Sequence, residues 1–595
     1  MTSFLDLDDD ILVCILPQFL SPHDIFNVSI LNKSIYNLNY NSSLSSKLFQ
    51  QLYNKIFTNN DNNFKLSYSD KLNWKQLFQL RCSSKQQVYT WGSSQFGRLG
   101  YLVDKIDQNH VTSRSLGFRG VHTPTAIPQS AGHIVTDIVA SGFQFIVLSS
   151  RSQLVTTGFS DAPAISREST PGPIGSKDYQ GNLMASNSAA VPFTEVVGSR
   201  RSIRRPGVMP MPANRYDHDV IETQPARTPR DTPMNPNLTR PPDQLTFPPE
   251  LGYNNEDNET SKKIVDSNFL TTITFPNYEP DAYPISISCG RQHYIVLDSH
   301  NRIASWDTGC RSNAAVLLRF PGIDPSLPIL KICAGWNLSC CYIYDVGLVM
   351  WYTRNAITKE QYEAGDRNVD AHYVVIPYTK RDVVDFTVGS DFVLFIKKSD
   401  GKLYKFGMNA QELATRDRQI GVRPDETQEA IEPVPSFNNW LARTNLQNGS
   451  SAEFTRLNCC YTNFVVFTND DDVLIGGRSH LEDSSEESES PPKIIPELQK
   501  QNIKSVEIGD YHFLALTTDG NILSWGLESS NCGCLGLGAK EEFVQNNGPS
   551  VVKDLGPNKG MEVLVPTRVK NPPIPGKWVS IAASGWHSAG VYVAE

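Results

Sequence analysis

The sequence predicts an all-β propeller of seven blades, preceded by a small all-α unit. Three observations support this fold class. Residues 4–57 contain no glycine and carry apolar residues at a helical spacing. A β-hairpin pattern then recurs along the chain, and residues 578–595 hold the opening half of that pattern while residues 88–100 hold its closing half. Joined, these two halves make one further complete repeat, as in a closed ring of blades.

The N-terminal stretch begins with an apolar stripe of helical period. Its members are Ile11, Leu12, Ile15, Leu16, Phe19 and Leu20. Ser21, Pro22 and Asp24 follow, with serine at an N-cap, proline at the first helical position and an acid in the first turn, which is a helix-start signature. About 50 helical residues with this much apolar surface are too few to bury it alone. The unit therefore needs a partner surface.

The β pattern is clearest in residues 503–526. A first strand ends at Gly509, a second alternates apolar residues, and Asp519 and Gly520 separate it from a third. Alternating segments joined by Asp-Gly predict a hairpin, because both central residues of a type I′ turn need positive φ. The pattern is found seven times, at 134–158, 284–307, 329–352, 383–407, 454–477, 503–526, and 578–595 joined to 88–100.

Three residue types recur at fixed places in this pattern. Glycine ends the first strand at 142, 290, 335, 389 and 509, which requires either close backbone approach or an unusual φ. A large aromatic closes the third strand at 91, 306, 351, 406 and 525, where facing sheets pack. His293, His512 and His587 share one repeat position. We expect these histidines to serve packing or hydrogen bonding rather than to act as a general base.

The glycine-histidine strand, the hairpin, the Trp-Gly pair and a Gly-x-Leu-Gly tail together resemble the regulator-of-chromosome-condensation repeat family. Residues 289–293 (CGRQH) and 585–588 (GWHS) match it best. The resemblance implies a seven-bladed propeller in which the two chain ends share a blade. Such closure leaves no sheet edge at the seam to pair with another molecule.

The segment FLDLDDDILVCILPQFLSPHDIFNVSILNKSIYNL resembles an F-box, the module that docks on the Skp adaptor of SCF ubiquitin ligases. The resemblance assigns adaptor binding to the residues that match the module. These are Leu5, Ile11, Leu12, Ile15, Leu16, Leu20, Pro22 and Leu31. The alternative is a helical cap that packs only on its own propeller.

The predicted domain boundaries follow from these patterns. We expect an F-box at 1–57, a helical linker at 58–85 and the propeller at 86–595. Residues 159–283 are proline-rich without a sustained period, which predicts a disordered insert. Residues 478–500 are predicted to be an acidic, serine-rich loop.

Several segments resemble motifs of catalysis, metal binding or cofactor binding. The sequence has no Ser-His-Asp order, paired-carboxylate motif or cofactor fingerprint, so we predict neither an enzyme nor a cofactor. Cys532 and Cys534 have no second ligand pair at zinc spacing, so no metal site is predicted. The glycine-rich segment 533–538 resembles a phosphate loop but lacks a following Lys-Ser/Thr, and it repeats the spacing of 97–100.

Charge and targeting signals limit the partners and the compartment. The formal net charge of −9 argues against a nucleic-acid partner, and the basic run at 200–205 falls inside the predicted disordered insert. The acidic N-terminus lacks the features of a signal peptide, and no apolar run reaches the length of a membrane span. We expect a cytoplasmic or nuclear protein with no membrane partner, whose cysteines pack in strands as small hydrophobes.

The resemblances together predict a non-catalytic receptor subunit of an SCF-type ubiquitin ligase. The F-box would bind the Skp adaptor, and through it the cullin, while the propeller would bind a protein substrate for ubiquitination and proteasomal degradation. The alternative, implied by the repeat family, is a guanine-nucleotide exchange factor for a small GTPase. A hydrolase or lyase that uses a propeller pocket has no supporting motif.

Overall fold

The described part of the chain folds into a ring of seven sheets, each of four or five strands. The computed structural model describes residues 45–57, 73–112, 119–158, 271–273, 282–307, 315–353, 364–408, 431–449, 451–482, 490–528, 530–557 and 559–595, together with Leu16, Asp24, Ile25, Asn27, Gln361 and Leu413. Inner strands of neighbouring sheets contact one another all the way round. The predicted seven-bladed propeller is therefore confirmed.

Within the described residues, two helices with printed bounds precede the ring and three lie in its connections. They are α1 (Ser45–Ile56), α2 (Trp74–Arg81), α3 (Pro435–Asn448), α4 (Arg478–Glu482) and α5 (Lys540–Asn546). Short 3-10 turns occur at Gln95–Gly97, Val103–Lys105, Gln108–His110, Pro128–Ser130 and Pro496–Leu498. Of the helices described, none combines the length and apolarity needed to cross a bilayer.

The strands are numbered along the chain, and each blade runs from an inner strand at the central channel to an outer strand at the rim. β1 (Gln86–Ser93) and β2 (Gly120–Ala126) belong to blade 7. Blade 1 contains β3 (Val135–Ala140), β4 (Phe145–Ser149), β5 (Leu154–Thr156) and β6 (Thr271–Thr272). Blade 2 contains β7 (Pro284–Cys289), β8 (Tyr294–Asp298), β9 (Ile303–Trp306), β10 (Val316–Arg319) and, from a later connection, β14 (Asn368–Asp370). Blade 3 contains β11 (Ile329–Ala334), β12 (Leu338–Ile343), β13 (Gly347–Tyr352) and β15 (Tyr373–Val375).

The remaining blades follow the same plan. Blade 4 contains β16 (Val383–Val388), β17 (Phe392–Lys397), β18 (Leu403–Gly407) and β19 (Glu432–Pro433). Blade 5 contains β20 (Phe454–Cys460), β21 (Asn463–Thr468), β22 (Val473–Gly476) and β23 (Lys493–Ile494). Blade 6 contains β24 (Ile503–Ile508), β25 (His512–Thr517), β26 (Ile522–Leu527), β27 (Val552–Asp554) and β28 (Met561–Arg568). Blade 7 is completed by β29 (Gly576–Ser584) and β30 (His587–Ala594).

Blade 7 joins the two ends of the propeller. β1 pairs antiparallel with β30 over seven positions, from Gln86 opposite Val593 to Gly92 opposite His587. Behind this ladder the rings of Tyr89 and Trp578 meet edge to face with centroids 5.6 Å apart. The shared blade predicted from the two half-repeats is present in the structure.

Every inner strand carries a β-bulge near its start, a feature that the sequence pattern did not reveal. The bulged residues are Thr136, Ile285, Leu330, Val384, Thr455, Lys504 and Val579. A bulge sharpens local twist and leaves one residue outside the ladder. We call this side of the ring the bulge face. The opposite side, where the inner strands end, is called the glycine face and is marked by the repeat positions 142, 290, 335, 389, 460, 509 and 584.

The recurring glycines are explained by close approach between blades. A Cβ on Gly290 would lie 2.1 Å from the carbonyl oxygen of Gly335, and a Cβ on Gly335 would lie 2.1 Å from that of Gly389. Neither glycine has a positive φ. Of the two explanations that the sequence left open, packing of neighbouring backbones is therefore the correct one at these positions.

Two of the recurring histidines link adjacent blades. His293 Nε2 lies 2.9 Å from Ser339 Oγ of the next blade, and His512 Nε2 lies 2.8 Å from Ser588 Oγ. Burial lowers the pKa of His293 to about 3 and that of His512 to about 4, so both rings are neutral at physiological pH. This confirms the hydrogen-bonding role expected for them.

Two predicted loop boundaries are wrong, because outer strands lie within them. β6 pairs with β5 and is followed by the buried Ile273, so the insert predicted at 159–283 extends too far at its C-terminal end. Residues 159–270 lie outside the described part. In the loop predicted at 478–500, α4 is helical, β23 pairs with β22, and Leu498 is fully buried. Strands of two residues are too short to show a period.

Candidate functional site

The helical unit that precedes the propeller has its own apolar core. α2 begins where Asn73 Oδ1 accepts a hydrogen bond from the Gln76 amide at 3.0 Å, a standard N-cap. The buried members of the core are Leu16, Ile25, Leu48, Leu52, Tyr53, Phe57, Trp74 and Phe78. Since α1 and α2 share this core, the boundary predicted at residue 57 does not separate two packing units. The predicted linker helix is part of the same unit.

Two buried cations fix this unit to the bulge face. Arg81, 1% exposed, donates from Nη1 to the Val135 carbonyl at 2.7 Å and from Nη2 to the Thr136 carbonyl at 3.1 Å. Lys504 Nζ donates to Tyr53 Oη at 3.0 Å and to the Val579 carbonyl at 3.1 Å. Thr136 and Val579 are bulged residues, so their carbonyls are free to accept from a side chain. The helical unit thus contacts blade 1 through Arg81 and blade 6 through Tyr53, and the Gln86 side chain of blade 7 donates to the Arg81 carbonyl.

The structure describes one of the eight predicted adaptor-binding residues, Leu16. Leu16 is 2% exposed and packs inside the core of the helical unit. The other members of the set lie outside the described residues. They are Leu5, Ile11, Leu12, Ile15, Leu20, Pro22 and Leu31. Their contact with an adaptor remains a prediction, and Leu16 has a packing role within its own unit.

The glycine face lies opposite the helical unit, and the third strand of each blade ends on it. The chain leaves the third strand of every blade on this side and returns to the outer strand from it. The largest of these connections spans residues 157–270, between β5 and β6. A rigid scaffold that presents variable loops on one face is a common arrangement for binding sites.

At the centre of the glycine face, the turns that follow the inner strands surround the channel. They present Phe143, Arg291, Trp336, Tyr461 and Asp510, which we call the mouth cluster. Backbone hydrogen bonds connect these turns from blade to blade: the amide of Gly142 donates to the Arg291 carbonyl at 2.9 Å, and the amide of Trp336 to the Gly389 carbonyl at 3.0 Å. The cluster therefore rests on a fixed ring of main chain.

Arg291 extends from blade 2 across the mouth. Its Nη1 lies 2.5 Å from Asp510 Oδ1 of blade 6, with the two side chains 21% and 6% exposed. Its guanidinium lies 4.7 Å from the centroid of the Trp336 ring and 5.3 Å from that of Phe143. The Trp336 ring in turn contacts that of Tyr461 at 4.7 Å. Arg291 is thus held by one ion pair and two aromatic faces.

Below Arg291 the channel encloses a cavity of about 250 Å³. Its wall includes Cys289, Lys331, Cys333, Asn458, Cys459 and Glu507. Burial raises the pKa of the Cys333 and Cys459 thiols, so both are protonated and weakly nucleophilic. This arrangement suits binding better than nucleophilic chemistry.

A buried ion pair stiffens the channel wall across three blades. Lys331 Nζ of blade 3 lies 2.6 Å from Asp385 Oδ1 of blade 4, and Asp385 Oδ2 accepts from the Leu457 amide of blade 5 at 2.8 Å. The Asp385 side chain is 2% exposed. Such a pair specifies the relative position of the blades, because leaving either charge alone in the interior is costly.

The mouth cluster was not predicted from the sequence, although the repeat carries a signal for it. The alignment that placed the recurring glycines also places the residue after them, and that position holds Phe143, Arg291 and Trp336 in blades 1 to 3. Large half-buried side chains that recur at one repeat position are brought together by the ring, and such a contiguous patch can mark a binding surface. Arg81 and Lys504 leave no comparable signal, because their acceptors are backbone carbonyls of distant strands.

The seven sheets define a seven-bladed propeller, and residues 503–534 match the model of the Regulator of chromosome condensation (RCC1) repeat. The chain is 26% identical to SCF-associated factor 1 of Saccharomyces cerevisiae over 681 aligned positions, which cover 99% of this chain and 97% of that protein. It is 33% identical to F-box protein pof9 of Schizosaccharomyces pombe over 135 residues, 23% of this chain and 27% of that one. The resemblance to F-box proteins with such repeats is confirmed.

Among solved structures, Prp20p of Saccharomyces cerevisiae aligns with 86% of this chain and 92% of its own length, at a TM-score of 0.45 and 13% identity. The fold assignment rests on the seven sheets and their closure rather than on this superposition.

Proposed function

We propose that this protein is the substrate-recognition subunit of an SCF-type ubiquitin ligase. The N-terminal helical unit binds the Skp adaptor, and through it the cullin, in the cytoplasm or nucleus. The propeller binds a target protein, which is then ubiquitinated and degraded by the proteasome. The chain itself supplies no catalytic group. It raises the effective concentration of the target near the ubiquitin-charged enzyme.

The observation that carries this proposal is the placement of the helical unit relative to the mouth cluster. Arg81 and Lys504 fix the unit on the bulge face, while the mouth cluster lies on the glycine face. A rigid spacer with its two binding surfaces on opposite sides can hold adaptor and target simultaneously. The similarity to SCF-associated factor 1 along the whole chain supports the same assignment.

Binding of the purified full chain to purified Skp adaptor tests the adaptor half of the proposal. The informative variant carries Leu5→Asp, Ile15→Asp and Leu20→Asp, because burying unpaired charge in an apolar interface costs several kcal/mol. Leu16 is left unchanged, since it belongs to the core of the unit. We expect affinity to fall by about 100-fold or more.

The matched control is Leu446→Asp, the same kind of change on the surface of α3, where the side chain is 85% exposed. This variant should bind the adaptor as the wild-type chain does. Failure of the wild-type chain to bind, or equal binding by the triple variant, would contradict the proposal.

The repeat match at residues 503–534 favours one second candidate, a guanine-nucleotide exchange factor for a small GTPase. That function predicts accelerated release of labelled GDP from a GTPase by the full chain. It also predicts that the triple variant remains equally active, because the exchange surface would lie on the propeller. Our proposal predicts no acceleration by either protein.

A further inference from the structure

The strongest unassigned feature is the donor edge of Arg291. One of its nitrogens, Nη1, donates a hydrogen bond to Asp510 Oδ1. In the part of the chain that the structure describes, no residue accepts a hydrogen bond from its Nε or Nη2. These two atoms form the edge of a guanidinium that binds both oxygens of a carboxylate through parallel hydrogen bonds.

The guanidinium is also held in place before any ligand arrives. Trp336 and Phe143 stack against it, and Asp510 fixes its far end. Its own backbone is part of the ring of interblade hydrogen bonds, with the Arg291 amide donating to the Gly335 carbonyl at 3.2 Å. A side chain ordered in this way loses little conformational entropy when it binds a partner.

Two arginine side chains lie at the mouth cluster. Arg98, which is 3% exposed, lies 5.6 Å from the Phe143 ring, so two guanidinium groups flank that ring. Next to Arg98, His587 is neutral, because burial and the positive charge of Arg98 lower its pKa well below the usual value. Asp510 is the carboxylate paired with Arg291, and Glu507 is a second carboxylate, in the wall of the cavity below. An anion would therefore be bound by the Nε and Nη2 donor edge of Arg291 and not by a net positive charge.

The aromatic rings indicate what surrounds the anion. Trp336 and Tyr461 are partly exposed at the mouth and offer apolar faces beside the donor edge. A free phosphate would leave these faces in water, whereas an acidic residue with an aromatic or aliphatic neighbour would cover them.

We propose that the mouth cluster binds a carboxylate of a protein, with Arg291 gripping its two oxygens and Trp336 and Tyr461 contacting the adjoining side chain. The carboxylate belongs either to an internal Asp or Glu or to a C-terminus. This inference rests on the proposed function, in which the propeller selects the target. It adds the chemistry of the recognised group.

Selection from a displayed library of random dodecapeptides tests this site with the full chain as bait. The baits are the wild-type chain, Arg291→Gln, Arg291→Lys, and Arg319→Gln as a matched control whose pair with Asp370 is exposed. We expect acidic residues beside aromatic ones to be enriched on the wild-type and Arg319→Gln baits. The enrichment should be lost with Arg291→Gln and reduced with Arg291→Lys, because a point charge cannot replace the bidentate edge.

The most enriched peptide is then synthesised in three forms: with its acid internal and the C-terminus amidated, with that acid replaced by the amide, and with a free C-terminal carboxylate only. Loss of the internal acid should weaken binding about tenfold or more if a side chain is the source. The third form should bind best if a C-terminus is the source.

Arg291→Gln leaves Asp510 unpaired, so Arg291→Gln combined with Asp510→Asn serves as a second variant without a buried lone charge. Thermal melting confirms that each bait is folded. Selection without acidic enrichment, or acidic peptides that bind equally to the wild-type and both Arg291 variants, would overturn the inference. No adaptor is present, so this outcome is separate from the test of ligase assembly.

Discussion

Acid should weaken the propeller, and His512 should account for a measurable share of that loss. Its ring is buried and neutral, bonded to Ser588 in the next blade, and burial lowers its pKa from 6.5 to about 4. In the unfolded chain the imidazole returns to its ordinary value near 6.5. Between these two values the unfolded chain binds a proton that the folded chain does not, so stability falls as pH falls.

The size of the effect follows from these two pKa values. From pH 7 to pH 5, His512 removes about 2 kcal/mol from the free energy of unfolding. His293, with a pKa of about 3, removes a similar amount. Glu528 acts in the opposite direction, because burial raises its pKa to about 7. Folding therefore favours its protonated form, and from pH 7 to pH 5 this adds about 2 kcal/mol to the free energy of unfolding.

Urea unfolding at pH 7 and pH 5 isolates the contribution of His512 when the wild-type chain is compared with His512→Gln. The variant is less stable at pH 7 because it loses the bond to Ser588. Its deficit relative to the wild-type chain should shrink by about 2 kcal/mol at pH 5. His133→Gln, the same substitution at an exposed histidine, is the control for the substitution itself. A deficit that stays constant between the two pH values would refute the neutral, buried state of His512.

Three further predictions concern the contacts that hold the blades and the helical unit. Asp385→Ala should lower the free energy of unfolding by about 3–5 kcal/mol in urea, and adding Lys331→Met should restore part of it, because the unpaired ammonium is then removed while the Leu457 amide still lacks its acceptor. Gly335→Ala should lower the melting temperature far more than Gly548→Ala, since a Cβ at 335 meets a carbonyl at 2.1 Å and one at 548 meets nothing within 4 Å; equal melting would contradict the close packing of the blades. Arg81→Met should raise amide deuterium exchange in α1 and α2 while leaving the inner strands protected, and unchanged exchange would show that the helical unit is held by other contacts.

The sequence was sufficient for the ring and its seam, because the signals there are local. A glycine at the end of one strand and a tryptophan at the end of another recur at a fixed spacing whether or not their partners are known. β6 and β23 were missed for the opposite reason, since each is only two residues long and is defined by the strand that it pairs with.

The contacts of the candidate site depend on distances between blades, which the sequence does not report. Arg81 donates hydrogen bonds to carbonyls of β3, and Lys504 joins Tyr53 of α1 to Val579 of β29. None of these pairs has a motif. Arg291 could be found by position, one residue after a recurring glycine, but its stacking on Trp336 and its pairing with Asp510 follow only from the closed ring.

Affinity purification of the full chain from proteasome-inhibited cells tests the central claim most directly, with the Skp adaptor quantified by mass spectrometry per molecule of bait. The account predicts that the adaptor accompanies the wild-type chain and Arg291→Gln in equal amounts and is lost from the Leu5, Ile15 and Leu20 triple variant, because adaptor and target bind opposite faces. Absence of the adaptor from the wild-type chain, or its recovery at wild-type level with the triple variant, would contradict the account.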